Sequence, residues 1–306
     1  MRIFLTGATG YIGNAVLDAL VRGGHDVTAL VRTNEKARGV SKRGGYPVIG
    51  NLAEPESYRA SAEAQDGYIH AAFDSRSGHG AAVEQTALEI LLAAAKRPRT
   101  ARSTAPAKRF FVYTSGVWVL GRTPEPAAEN SPVNPIDLVS WRPEHERMVL
   151  DAGDSLRTVV VRPGVVYGGG DGMVGDLFKS ASNGLVRVVG DGNNHWPLVY
   201  DRDLADLYAR LASREDATGV YHANDEGDER VNDIVSAISP YLQVKPDVRH
   251  VPIDEARTKM GAFADALALD QVVRSPRARA LGWTPTLHSV SGNAARILEE
   301  WRASRN

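Results

Sequence analysis

The chain has 306 residues, 43% hydrophobic and 24% charged, with a formal net charge of -1 and no cysteine. That length can bury a full core with room for a smaller appendage, and the near-zero charge removes any bulk electrostatic reason to expect nucleic acid or an anionic membrane as partner. The missing cysteines exclude disulfides, thiolate metal sites and cysteine nucleophiles, and fit a reducing, cytoplasmic setting.

At the N-terminus, Met1-Arg2 leads straight into Ile3-Phe4-Leu5, too short for the apolar stretch of a signal peptide. Residues 3–6 read as a first strand and 14–22 as a helix, with Val16, Leu17, Leu20 and Val21 at helical spacing. Gly23-Gly24 stops the helix, residues 27–31 form a second strand, 47–49 a short third and 68–71 a fourth. A long helix over 81–96 carries Val83, Ala87, Ile90, Leu91 and Ala94 on one side; Ala82, Leu88, Glu89 and Leu92 lie off it. Residues 110–113 are the fifth strand and 158–161 the sixth, with a helix over 141–152 between them whose first turn suits Pro143.

This alternation predicts an α/β fold, a Rossmann-type doubly wound parallel sheet. After Arg162-Pro163-Gly164, glycine-rich loops replace the βαβ regularity, which points to a smaller, interleaved substrate domain. The expected division is 1–167, rejoined by 199–224, against 168–198 with 225–306. Between residues 96 and 109, Lys96, Arg97, Arg99, Arg102, Lys108 and Arg109 crowd around two prolines, either as a solvated loop or as an anion-binding patch. No His/Asp/Glu cluster has metal-ligand spacing, and no membrane-spanning apolar run is present.

The strongest chemical signal is Thr6-Gly7-Ala8-Thr9-Gly10-Tyr11-Ile12-Gly13, between the first strand and the first helix. A tight turn needs Gly7, backbone approach to a pyrophosphate needs Gly10, and close contact of helix and sheet needs Gly13. The helix N-terminus, from Thr9 through Ile12, then offers free N–H groups to the phosphates. A dinucleotide is therefore the expected ligand. The position that would hold an acid for the ribose 2′-hydroxyl of NAD carries Arg32, followed by Lys36, so NADP is expected and NAD is less suited. Asn51 and Leu52 would lie near the adenine, and Ala71 and Ala72 near the phosphates and ribose.

The glycine spacing resembles the extended short-chain dehydrogenases/reductases, the superfamily of sugar-nucleotide epimerases and dehydratases and of dihydroflavonol-type reductases. The segments 68–72 (YIHAA), 111–116 (FVYTSG), 161–168 (VRPGVVYG), Asp203-Leu204-Ala205 and 281–285 (LGWTP) are similar to further family motifs. This resemblance implies cofactor contacts from Thr114, Pro163 and Val165, and a small-molecule substrate. It also implies a homodimer through the two helices flanking the fifth strand.

That family uses a Ser or Thr to hold the substrate oxygen, a Tyr as general acid/base and a Lys four residues later on the nicotinamide ribose. Counting back from Gly121 puts the Ser/Thr on Gly116, with Ser115 just before it. Counting from Glu146 puts the Lys on Arg142 and the Tyr on Leu138. A second register would pair Trp141 with His145 but misplaces Glu146. No Tyr-x-x-x-Lys occurs anywhere, which resembles the atypical members of the superfamily.

Arg142 could keep the ribose-binding half of the Lys role, while an arginine is too weak an acid to supply a proton. The proton then comes from His145, Tyr113, His195, another cleft tyrosine or water; strand alternation that aims Tyr113 into the core, and a helix interface for His145, are the alternatives. Trp118, Tyr167, His195 and Trp196 are candidate pocket residues, with core packing as the alternative for the aromatic ones. The expected activity is NADP-dependent reduction of a carbonyl or oxidation of a secondary alcohol. A sugar-nucleotide epimerase or dehydratase, and a non-catalytic NADP sensor, are the alternatives.

Overall fold

The computed structural model describes residues 1–74, 78–97 and 108–305. Its main sheet has seven strands: β1 (Arg2–Thr6), β2 (Asp26–Val31), β3 (Tyr46–Ile49), β4 (Gly67–His70), β5 (Phe110–Thr114), β6 (Arg157–Pro163) and, last in sequence, Gly219–Ala223. In space the first six run 3-2-1-4-5-6, with Gly219–Ala223 on the far edge, and each pairing from β3 to β6 is parallel. This is the doubly wound order, with the reversal between β1 and β4.

The helices are α1 (Tyr11–Arg22), α2 (Asn34–Lys42), α3 (Arg59–Glu63), α4 (Gly80–Lys96) and α5 (Arg142–Leu150). Strands buried on both faces explain the near-continuous apolar runs at β1, β4, β5 and β6. The helices α2 and α3 were not legible in the sequence. The first is nearly all polar with only Val40 buried, and the second has five residues.

Contacts divide the chain into two compact units. The first comprises residues 1–115, 141–161 and 205–221; the second comprises 116–140, 162–204 and 222–306. Residues 116–140 and 162–167, which the sequence reading gave to the nucleotide-binding domain, thus pack with the second unit. Its core gathers Tyr167, Phe178, Trp196, Tyr200 and Trp301 among aliphatic side chains.

On α4 the sequence-derived interface face is corrected. Leu88 and Leu92 belong to the buried core, while Val83 and Ile90 are only half-buried. Of the four residues read as a partner face, Ala82 and Glu89 are exposed. Of the basic segment, residues 98–107 lie outside the described residues. The guanidinium of Arg109 donates to the carbonyls of Ala94, Ala95 and Arg97 and so caps the C-terminus of α4. Arg97 pairs with Glu63, and Lys108 donates to the Asp154 carbonyl, so these three are committed to structure.

Candidate functional site

The glycine segment forms the tight turn its spacing demands. Gly7 has φ +80, and the Gly10 N–H donates back to the Gly7 carbonyl at 2.8 Å. A Cβ on Gly7 would lie 2.5 Å from the Ala71 carbonyl oxygen and 2.7 Å from the Ala72 nitrogen. A Cβ on Gly13 would lie 2.1 Å from the Gly7 carbonyl oxygen. Backbone thus meets backbone where Ala71 and Ala72 leave β4. No side chain caps α1 at Gly10, and its first turn holds no acid, so its leading N–H groups are not taken up by a side-chain cap. A diphosphate fits a cradle built this way.

At the end of β2, Arg32 and Lys36 are exposed, and the Thr33 hydroxyl caps α2 by accepting from the Lys36 N–H. One acid, Glu35, sits in the first turn of α2, three residues past the position at which the ribose-binding acid was sought. Asn51 and Leu52 are half-exposed after β3; the Asn51 side chain accepts from the Ala53 N–H in an Asx turn.

Beyond β5, Arg142 opens α5. Its Nη1 donates to the Thr114 carbonyl at 3.1 Å, and its guanidinium lies 4.5 Å from the ring centre of Trp141 and 5.2 Å from that of Phe73. Those two rings stack on each other, and Trp141 also packs on His145. Behind Arg142, the Glu84 carboxyl of α4 is 3% exposed, with Oε1 accepting from the Tyr113 hydroxyl at 2.5 Å and standing 4.0 Å from Arg142 Nη1. Burial pushes Glu84 up to about 7 against the pull of Arg142 and the Tyr113 bond.

This placement decides Tyr113 for the core, against its reading as a substrate-facing acid. Its ring is fully buried, and burial together with the Glu84 charge drives its hydroxyl far above the ordinary phenol range. His145 is buried as well; desolvation and then the Arg142 charge lower its pKa, so it is neutral at physiological pH. His70 at the end of β4 bonds Thr6 Oγ1 at 2.7 Å and is lowered to about 3 by burial and by Arg142. Thr114 shares a 2.6 Å hydrogen bond with the Tyr208 hydroxyl. Ser115 is buried, its backbone N–H bonded to Val161 O and its hydroxyl without a partner.

Sequence reasoning missed Glu84. The signal was a charged residue on the apolar side of a helix, where an acid is rarely buried unless something pairs with it.

In the second unit, Gly116 has an extended φ of -179, and a Cβ there would meet nothing nearer than Pro163 O at 3.9 Å. The lost hydroxyl position is therefore vacant by side chain and not by backbone constraint. Gly116→Ser should leave the free energy of unfolding unchanged within about 0.5 kcal/mol in a urea titration; a large loss would show that the glycine is structurally required.

Leu138 sits in a 3-10 turn and packs with Trp118 and Ile136 against Val117, Leu120 and Val139. Trp118 meets Phe263 edge-on. Pro163 and Val165 are buried, the latter in a short strand, β7 (Val165–Tyr167), with its N–H on Pro197 O.

Two pocket expectations are corrected. Tyr167 is fully buried and donates to Asp225 Oδ2 at 3.2 Å, and Trp196 is buried with its indole N–H on Leu267 O. His195 keeps some exposure. Its Nδ1 bonds Asp270 Oδ1 at 2.9 Å, and Arg230 Nε approaches Nε2 at 3.4 Å, so the proton belongs on Nδ1. Burial works to raise Asp270, yet the two bonds from His195 outweigh it and hold the carboxyl below its usual range. Among the described residues no group of three or more His, Asp or Glu could hold a metal, and no helix is long and apolar enough to cross a membrane.

The profile of the NAD-dependent epimerase/dehydratase family matches residues 3–223, more than half of the chain. The chain belongs to this family. An uncharacterized protein of Schizosaccharomyces pombe is 31% identical over 295 residues, covering 95% of this chain and 96% of that one. A 4-hydroxy-2-methyl-3-oxo-4-farnesyl-3,4-dihydroquinoline-1-oxide ketoreductase of Stigmatella aurantiaca is 28% identical, covering 84% of this chain and 78% of its own. Among solved structures, human epimerase family protein SDR39U1 with NADPH matches with a TM-score of 0.79 at 21% identity, over 98% of this chain and 99% of that chain. At that identity the likeness speaks for the fold alone, a doubly wound Rossmann-type architecture.

Proposed function

We propose that the chain is an NADP-dependent oxidoreductase that interconverts a carbonyl and a secondary alcohol on a small organic substrate, without the usual Ser-Tyr-Lys residues. The observation that carries this reading is Arg142. A fixed cation, anchored on Thr114 O and lying against two aromatic rings, stands beyond β5 in the same unit as the glycine cradle. Gly7, Gly10 and Gly13 with the α1 N-terminus would hold the diphosphate, and Arg32 and Lys36 would meet a 2′-phosphate.

When bound, the cofactor supplies or accepts the hydride. Arg142 would then bond the nicotinamide ribose and offset negative charge developing on the carbonyl oxygen. The proton is not its to give. Tyr113, His145 and the Ser115 hydroxyl are all buried in this unit, which leaves water as the proton source there.

Two relatives bear names that speak for a reductase, the Stigmatella ketoreductase and a 2-alkyl-3-oxoalkanoate reductase of Stenotrophomonas maltophilia. Phe73, 42% exposed beside Trp141, favours an apolar or planar ketone over a sugar.

The test is NADPH consumption with a panel of aryl ketones and 3-oxoacyl compounds, beside a calorimetric titration of NADPH and NADH. Turnover on at least one ketone is expected. Arg32→Ala should cut the preference for NADPH by about tenfold or more, the worth of one charge-assisted hydrogen bond. Tight NADPH binding with no turnover on any member would refute the enzyme and leave a cofactor sensor. Equal affinities for the two cofactors would refute the role of Arg32.

A further inference from the structure

Around Arg142 the first unit concentrates an unusual number of unmet polar atoms. Glu84 Oε2, His70 Nε2 and His145 Nδ1 are all buried, and none of the three has a hydrogen-bond partner among the described residues. Each of these residues lies close enough to Arg142 to feel its charge. A buried polar atom without a partner costs stability, so three of them about one guanidinium call for a reason beyond packing. Glu84 differs from the histidines because its carboxyl is doubly engaged, with Tyr113 O–H at 2.5 Å on one side and Arg142 Nη1 at 4.0 Å on the other.

We propose that Glu84 is a positioning residue for Arg142, its buried carboxyl fixing where the guanidinium sits and how much of its positive charge reaches a bound dinucleotide. The proposal rests on the reading that Arg142 faces the cofactor. Ionised, Glu84 balances the guanidinium and competes with ribose hydroxyls for it. Protonated, it leaves Arg142 an uncompensated cation beside a ligand rich in negative charge. Burial holds the carboxyl near 7, so this exchange falls within the physiological range.

The titratable groups around Glu84 are few. Tyr113 faces it from β5, His70 lies on β4, and Arg142, His145 and Glu146 on α5. The charged residues of α3 are committed elsewhere, Arg59 to Glu56 and Glu63 to Arg97. Of the ionisable groups around Arg142, His70 and His145 are both lowered and stay neutral near pH 7. Among the described residues Glu84 is the one placed to titrate there.

The experiment reads Trp141, which stacks on Arg142 at 4.5 Å. The protein is labelled with 5-fluorotryptophan, and the Trp141 fluorine resonance is assigned with Trp141→Phe. In cofactor-free protein that resonance should move with a midpoint near neutrality, and Glu84→Gln should abolish the transition. Tyr113→Phe should shift the midpoint upward, because the ionised carboxylate loses a donor; this arm holds even should Glu84→Gln fold poorly. NADPH affinity should fall on the order of tenfold between about pH 6 and about pH 9 in the parent. It should stay level in Glu84→Gln once the titration of the 2′-phosphate, common to both, is divided out. A Trp141 transition that survives Glu84→Gln and vanishes in His145→Ala would overturn the proposal. A transition that follows Glu84, beside an Arg142→Ala variant with parental NADPH affinity, would uphold the positioning and overturn the cofactor reading beneath it.

Discussion

Gly13→Ala is expected to abolish dinucleotide binding and to destabilise the fold by about 2 kcal/mol, whereas Gly39→Ala should stabilise it by about 0.5–1 kcal/mol. Both glycines lie inside helices, Gly13 in α1 and Gly39 in α2. On propensity alone each substitution is worth up to ~1 kcal/mol in favour of alanine. Surroundings decide the sign. A Cβ on Gly39 meets nothing within 4 Å, so the propensity gain survives. A Cβ on Gly13 would sit 2.1 Å from Gly7 O, 2.6 Å from Gly7 C and 3.1 Å from Ala8 N. These are backbone atoms that cannot rotate away, and overpacking of this kind costs up to ~3 kcal/mol. Relief can come only by moving α1 off the turn that should hold the diphosphate, which is why binding and stability fall together. Urea midpoints for both variants and an NADPH titration of Gly13→Ala check this. NADPH binding at parental affinity by Gly13→Ala would show that the cradle is not the nucleotide site.

What the sequence disclosed follows from how local each feature is. The strand–glycine–helix segment is a local constraint on backbone geometry, and β1, α1 and Gly7 stand where the spacing places them. Long apolar helices and strands were legible for the same reason, since hydrophobic period records burial. Misreadings concern which way a side chain points. Leu88 and Leu92 of α4 read as surface because one apolar stripe already accounted for the core face. In fact α4 is buried along a wider arc, between the sheet, α3 and α5. Tyr113 and Tyr167 read as cleft residues because tyrosine carries a polar tip, yet each tip is satisfied inside by a carboxylate, Glu84 or Asp225. Such pairings join residues 29 and 58 positions apart, a distance over which periodicity carries no information.

Arg142→Ala should lower NADPH affinity and turnover together, the latter by on the order of a hundredfold, the usual cost of removing one group that stabilises a developing oxyanion. Arg142→Lys should recover part of the loss. The lysine keeps the charge and can reach Thr114 O, but it cannot reproduce a planar guanidinium lying on Trp141 and Phe73. Stability supplies an independent check. Glu84 is raised from its ordinary value to about 7 in the folded chain, so between roughly pH 4.5 and pH 7 the native state binds the extra proton. The contribution of Glu84 to stability therefore declines as pH rises across that window and levels off above it. Removing Arg142 takes away the charge that pulls Glu84 down, which moves the upper edge of the window to higher pH. The stability gap between Arg142→Ala and the parent should accordingly widen from about pH 7 to about pH 9, and the same substitution made on Glu84→Gln should show a constant gap. A gap independent of pH in both backgrounds would mean that Arg142 and Glu84 are uncoupled, and the bond to Thr114 O with the contacts to Trp141 and Phe73 would then be what holds this cation in place.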